Sequence, residues 1–288
     1  MPIEIPVAAM EERDLSFELV NNLSPRNLTS EQISHYNEEG YIQPIDVFTE
    51  SEITAHRDYF NRLLQKLNNL NDGRDSYALN CYQALCEGIW DLCTESRILD
   101  YVEDIVGPNI IAWASHYFCK LPRDRKRVPW HQDASYWHLT PARTVTAWVA
   151  IDDADKDNAA MKFIPGTHKA GHLEWRKAEG EVVLGQEIID IGKFKKPIYN
   201  CLKAGQMSLH ADMLVHGSDL NESSRRRCGF TIRFCPPLVR TTSGWNVDSI
   251  IARGSDPTGH WADKPRPLGD TVYPRDERKK RPKSIGGN

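Results

Sequence analysis

The chain has 288 residues, 40 % hydrophobic and 26 % charged, with a net charge of −4. That balance fits a globular protein with a sizeable core and argues against general nucleic-acid binding. No apolar run approaches the ~18 residues of a membrane-spanning helix, and MPIEIPVAAMEERD lacks the basic start and apolar centre of a secretory leader.

In chain order, residues 1–27 show no period and read as an extended N-terminal arm. Thr29 or Ser30 opens a short helix through SEQISHYNEEG, stopped by Gly40. The stretch FTESEITAHRDYFNRLLQKLNNLNDG predicts the clearest helix. Thr49 and Glu52 form a capping box, Ile53, Phe60, Leu63, Leu64, Leu67 and Leu70 recur at three and four, and Gly73 is the natural stop. In TESRILDYVEDIVGP, Thr94 is the expected cap of a third helix with Ile98, Leu99, Val102, Ile105 and Val106 on one face, closed by Gly107 and Pro108.

After Pro108 the pattern changes to short strand-like runs: IIAWASHYFCKL, TVTAWVAI, AAMKFIPGT, QMSLHADMLVHGS and CGFTIRF. Helices first and short strands afterwards predict a β-sandwich or jelly roll with a helical layer on one side. No repeats or Gly/Ser linker interrupt the chain, so 1–288 reads as one domain. It comprises the arm, a mostly helical part over 28–107, a β core over 108–240 and a loose charged tail over 275–288. The seven cysteines at 81, 86, 93, 119, 201, 228 and 235 include no CxxC pair and read as reduced, mostly buried thiols of a cytoplasmic protein.

Three His-x-Asp triplets compete for chemistry. His56 and Asp58 lie in the second helix, where residues two apart point to roughly opposite sides. His131/Asp133 and His210/Asp212 lie in strand-like sequence, where alternate residues share a face. With His216, the pair His210/Asp212 would be strung along one strand over ~13 to 20 Å. His131/Asp133 can instead recruit His216 from a distant strand into a facial two-His-one-carboxylate site, which holds a divalent ion and leaves positions open. His210 is then a core or supporting histidine. Eleven residues after His216, Arg227 offers a guanidinium able to grip a carboxylate in bidentate fashion.

WHQD at 130–133, IPGTH at 164–168, HGS at 216–218 and the eleven-residue step to Arg227 resemble the phytanoyl-CoA dioxygenase family of Fe(II)/2-oxoglutarate oxygenases. The likeness runs from about Leu28, through LDYVEDIVGPNI and KLP, to about Pro237. The resemblance implies a mainly β fold with flanking helices around a double-stranded β-helix, a cupin-like jelly roll. It implies Fe(II) on His131, Asp133 and His216, 2-oxoglutarate with its distal carboxylate on Arg227, and O2 as the oxidant. It also places Trp148, Ser218, His116 and Asn80 beside the cosubstrate, where a core tryptophan and a turn serine are the plain alternatives for Trp148 and Ser218. Tyr136 and Trp137 would help wall the substrate cavity. No catalytic group beyond the iron ligands is required. One departure, Ala159 where a glycine is usual, is expected to leave the iron site untouched.

The implied reaction is decarboxylation of 2-oxoglutarate to succinate and CO2, coupled to hydroxylation of a small polar metabolite, anionic or zwitterionic. A carboxylate at position 133 argues against halogenation, because halogenases of this superfamily lack that ligand, and leaves desaturation, epoxidation and cyclisation open beside hydroxylation. The basic segment from Lys120 to Arg127, with Arg233 and Arg240 following Arg227, is the source for the anion preference, and an exposed basic loop is the plain reading of that segment. A metal-binding cupin that acts as an isomerase or a binding protein is the alternative. No partner beyond the small molecule is expected, neither nucleic acid nor membrane, and the sequence does not specify an oligomeric state.

Overall fold

The structure, a computed structural model, describes residues 13–241 and 243–280. Parts of the expected arm (1–12) and tail (281–288) lie outside the described residues.

Two local signals start the helical layer. Helix α1 (Ser30–Glu39) opens with a reciprocal capping box between Thr29 and Gln32 and ends on Gly40 in the left-handed conformation. Helix α2 (Glu50–Asn69) opens with the same device between Thr49 and Glu52 and ends at Leu70, short of Gly73. Helix α3 (Glu87–Cys93) was not foreseen, and Thr94 closes it. The cap of α4 (Ser96–Val106) is therefore Glu95, whose carboxylate accepts from the Arg97 amide. The tail begins with a short helical turn, Arg275–Lys280, where a loose segment was expected.

The strands in chain order are β1 (Tyr41–Asp46), β2 (Ile110–Lys120), β3 (Val128–His131), β4 (Leu139–Thr140), β5 (Val145–Ala150), β6 (Lys162–Phe163) and β7 (Trp175–Lys177). They continue with β8 (Gln186–Ile188), β9 (Ile198–Tyr199), β10 (Gln206–Ala211), β11 (His216–Ser218), β12 (Arg227–Cys235), β13 (Arg240–Thr241) and β14 (Ile250–Arg253). A large sheet has the order β1-β10-β5-β12-β2-β14 and a smaller one β3-β11-β6-β9; β13-β4 and β7-β8 form two-stranded ribbons. Every pairing between these strands is antiparallel. Two packed antiparallel sheets with a helical layer on the outside are the jelly-roll architecture.

The central strands are buried on both faces, yet their alternation is clear. Val145, Ala147 and Val149 of β5, Met207 and Leu209 of β10, and Cys228, Phe230, Ile232 and Phe234 of β12 join one core with Phe60, Leu63, Ile98 and Val102 of the helices. The alternate residues Thr146, Trp148, His210, Arg227, Thr231 and Arg233 line a cavity instead. Because successive side chains point to opposite faces, the polar half of CGFTIRF is turned into the molecule rather than to water.

Candidate active site

The cavity lies against β3, β11 and the inward face of the large sheet and encloses about 410 Å3 of free space, its mouth included. At its wall His131, Asp133 and His216 come together, with ligand atoms all within 4.8 Å of one another. Strand β3 ends at His131, and Asp133 begins a 3-10 turn, Asp133–Ser135. The expectation that both residues share a strand face is thus corrected: the chain bends after Gln132, and the carboxylate swings back towards the imidazole. His216 stands opposite His131 in the β11–β3 ladder.

His210 and Asp212 do not form a second centre. Strand β10 ends at Ala211 and β11 starts at His216, so a turn, rather than one long strand, separates them. The His210 ring lies 4.9 Å from that of His216, inside the cavity. The Asp212 carboxylate accepts from the Thr144 amide at 3.0 Å.

Hydrogen bonding fixes the ligand set. His131 Nδ1 lies 2.8 Å from the Pro129 carbonyl and His216 Nδ1 2.9 Å from that of Leu214. Each Nδ1 can only donate there, which leaves both Nε2 lone pairs free for an ion. The Nε2 atoms lie 3.5 and 3.9 Å from Asp133 Oδ1. Burial opposes ionisation of Asp133, but its contacts with His131 and His216 and the charge of Arg233 outweigh it and hold the carboxyl below the usual range. Burial first, then His131, pushes His216 well below its usual value. Two neutral imidazoles and one carboxylate within reach of a single point fit a divalent ion with open positions.

Arg227, at the start of β12, is 3 % exposed. Its Nε donates to the Ala159 carbonyl at 3.2 Å and its Nη2 to Ser218 Oγ at 3.1 Å, while its guanidinium lies 5.8 Å from the Trp148 ring. Ala159 thus meets Arg227 through its backbone carbonyl rather than its side chain, and its φ of +64° explains why glycine suits that position. Lys120 faces Arg227 across the ladder. Burial, then the nearby guanidinium, lowers its pKa to about 7, and its amine donates to the Lys126 carbonyl.

Of the other expected residues, Trp148 and Ser218 line the cavity, whereas His116, Asn80, Tyr136 and Trp137 are not among its lining residues. His116 Nε2 lies 2.6 Å from the Tyr77 carbonyl, and Asn80 pairs with His116 as a β-bridge. Tyr136 sets its ring edge-on to His131 at 5.9 Å. Trp137 packs in the core against Trp113. The cations before the iron motif are engaged at the surface: Arg125 with Glu181, Lys126 with Asp75 and Arg127 with Glu187. Sequence reasoning missed Phe118, Thr146, Met161 and Thr231 as lining residues; inward alternation along β2, β5 and β12 is the signal that could have found most of them.

A jelly roll that gathers two imidazoles, a carboxylate and a buried arginine around one cavity has the arrangement of a 2-oxoglutarate-dependent non-haem iron dioxygenase, and this chain is one. The family model for phytanoyl-CoA dioxygenase (PhyH) matches residues 36–229, and the chain belongs to that family. It is 27 % identical over 276 residues to the peroxisomal phytanoyl-CoA dioxygenase of Homo sapiens, covering 86 % of this chain and 80 % of that protein. Among solved structures, the apo form of the non-heme monooxygenase ThoJ aligns with a TM-score of 0.70 at 24 % identity, over 82 % of this chain and 88 % of that one. CytC3 with Fe(II) and alpha-ketoglutarate aligns with a TM-score of 0.61 at 19 % identity, over 82 % of this chain and 93 % of that one. Fe(II), 2-oxoglutarate and O2 are the cofactor and cosubstrates of this class. No helix among the described residues is long and apolar enough to cross a membrane.

Proposed function

We propose that this dioxygenase hydroxylates an unactivated C–H bond of a small polar metabolite carrying an anionic or zwitterionic group, with release of succinate and CO2. His131, Asp133 and His216 hold the iron, and Arg227 holds the distal carboxylate of 2-oxoglutarate. The observation that carries this reading is the pairing of that cluster with a fully buried guanidinium in one cavity. When bound, the iron would activate O2, the oxidant, with 2-oxoglutarate as the co-reductant that leaves as succinate and CO2.

The rest is done by the chain. The Pro129 and Leu214 carbonyls keep each imidazole in the tautomer that presents Nε2. Ser218 and the Ala159 carbonyl aim Arg227, and Trp148 closes one side of the cosubstrate space. Tyr136, braced by the Gln186 amide donating to its hydroxyl at 2.8 Å, supports the His131 ring edge-on at 5.9 Å. Such a closed site orients the reacting carbon and keeps water from competing. His116 sets its ring 4.0 Å from that of the cavity-lining Phe118, and Asn80 pairs with His116. The cysteine pattern supports a cytoplasmic setting, while the peroxisomal relative offers a second compartment.

Anaerobic titration of Fe(II)-loaded protein with 2-oxoglutarate, followed by the weak visible charge-transfer band of the chelate, tests this. The wild type is expected to develop the band and Asp133→Ala to lose it. Arg227→Gln is expected to raise the 2-oxoglutarate Kd about a hundredfold, as loss of charge-assisted hydrogen bonds would. A cupin isomerase or binding protein would tolerate Arg227→Gln and release no succinate, and that result would replace this reading.

A further inference from the structure

Six residues beyond Arg227 on the same face of β12, the cavity contains a second guanidinium that the cosubstrate does not explain. Arg233 is 7 % exposed, lines the cavity and lies 5.0 Å from the Trp137 ring and 6.0 Å from the Trp113 ring. Its Nε is buried without an acceptor, and no carboxylate of the described residues lies within ion-pairing distance. The aromatic faces keep the fork flat and in place while leaving its N–H groups unused.

Arg233 does not stand alone. In the ladders it sits opposite Thr146, and Thr146 sits opposite His210. The three side chains thus form a row across β12, β5 and β10, all facing the cavity. Each keeps buried polar atoms without a partner: Arg233 Nε, Thr146 Oγ1, and both His210 ring nitrogens. The row is rich in donors, since a guanidinium can only donate, a hydroxyl can donate, and an imidazole always carries at least one N–H. Buried polar groups in a protein are ordinarily satisfied, so three adjacent unsatisfied ones facing a binding cavity call for a ligand that accepts.

Charge supports the same ligand. Asp133 is the sole carboxylate among the described residues lining the cavity, against two arginines. A divalent ion and a dianionic oxoacid, added to these, leave one positive charge over. Along a strand rising ~3.3 Å per residue, the Cα atoms of Arg227 and Arg233 are about 20 Å apart, which makes them two separate anion points. We infer that Arg233, Thr146 and His210 form the subsite for one oxyanion of the prime substrate, a carboxylate or a phosphonate, whose hydrocarbon part extends towards the His131/Asp133/His216 cluster. This rests on the oxygenase reading and names the substrate class for it.

The test uses the full chain loaded anaerobically with Fe(II) and 2-oxoglutarate, comparing wild type with Arg233→Gln and Arg233→Lys. The probes are hexanoate, hexylphosphonate and uncharged hexanamide. Their binding is read by tryptophan fluorescence, because Trp113 and Trp137 flank Arg233; oxoacid binding is read by the visible band. Wild type is expected to bind at least one anion ten- to a hundredfold more tightly than hexanamide, roughly the value of a charged hydrogen bond. The better of the two anions gives the head group. Arg233→Gln should lose that preference while its 2-oxoglutarate Kd stays within about threefold of wild type, and Arg233→Lys should keep part of the preference. The Gln variant should also melt no lower than wild type, since it removes an unpaired buried charge. Equal binding of anion and amide by wild type, or unchanged anion binding by Arg233→Gln, overturns the subsite. So does a loss of 2-oxoglutarate affinity matching that of Arg227→Gln, which would give Arg233 to the oxoacid. A wild type that never forms the band defeats the oxygenase reading itself, whereas a normal band without anion discrimination defeats only the subsite.

Discussion

Gly229 shows how little room the Arg227 end of the cavity leaves. A Cβ placed there would lie 2.0 Å from the Trp148 ring, and that ring stands beside Arg227. Gly229→Ala is therefore expected to cost about 1–3 kcal/mol of stability through overpacking and to weaken 2-oxoglutarate binding roughly tenfold by displacing Trp148. Thermal melts and the visible-band titration measure the two effects separately. At this scale the sequence was legible where chemistry and spacing coincide. His131, Asp133, His216 and Arg227 are picked out by residue type and spacing, and the structure gathers all four at one cavity. Arg233 was visible only as one more cation, because an alternating strand does not say which of its two faces meets water. His210 is set aside as a ligand because one long strand would string it away from His216; a turn at 212–215 takes the place of that strand.

Elements were legible wherever their signals are local. The capping boxes at Thr49 and Thr29 need only the next three residues, and both formed. Thr94 misled because the preceding segment, EGIWDLC, is too short for periodicity to reveal a helix, so its end was taken for the next helix's start. Register is the least local property, and it set the outcome for Asp212. At the end of β10 this carboxyl is buried, which raises its pKa to about 7; the charge of Asp133 adds to the rise, while the Thr144 amide, Arg13 and Arg143 oppose it. Its folded pKa lies above its unfolded one, near 4. Between those values the native state holds more protons than the unfolded chain, so this contribution to stability is complete below about pH 4 and is lost as pH rises to about 7. Asp212→Asn keeps an acceptor for Thr144 and removes the ionisation. The variant is expected to gain on wild type by on the order of 2–4 kcal/mol between pH 4 and pH 8, read from denaturant midpoints at both pH values.

For the whole molecule, helices and sheet share one core: Phe60 of α2 packs 4.7 Å from Tyr117 of β2, which in turn contacts Phe230 of β12. Arg227 therefore sits on a strand fastened from behind by the helical layer, with His131 and His216 on the smaller sheet across the cavity, and ligand binding should report on global unfolding. Fe(II) or Ni(II) alone, at about a hundred times its Kd, is expected to stabilise the fold by about 2.7 kcal/mol. Differential scanning calorimetry with and without a chelator checks this, and no shift in wild type would mean that the cluster is not a loaded site. The architecture as a whole was readable from the switch in pattern after Pro108, helix first and strand afterwards. The partition of β runs into two sheets was not, since pairing partners such as β3 and β11 are 85 residues apart.

That last pairing has a consequence of its own. His131 and His216 occupy one rung of a ladder built from strands of only four and three residues, and Gly217 beside them has no space for a side chain against the Val128 carbonyl. Slippage by a single position would turn one imidazole away from the other. An ion seated between them is thus a clasp across the seam, and amide protons of 128–131 and 216–218 should exchange with deuterium more slowly once it is fastened.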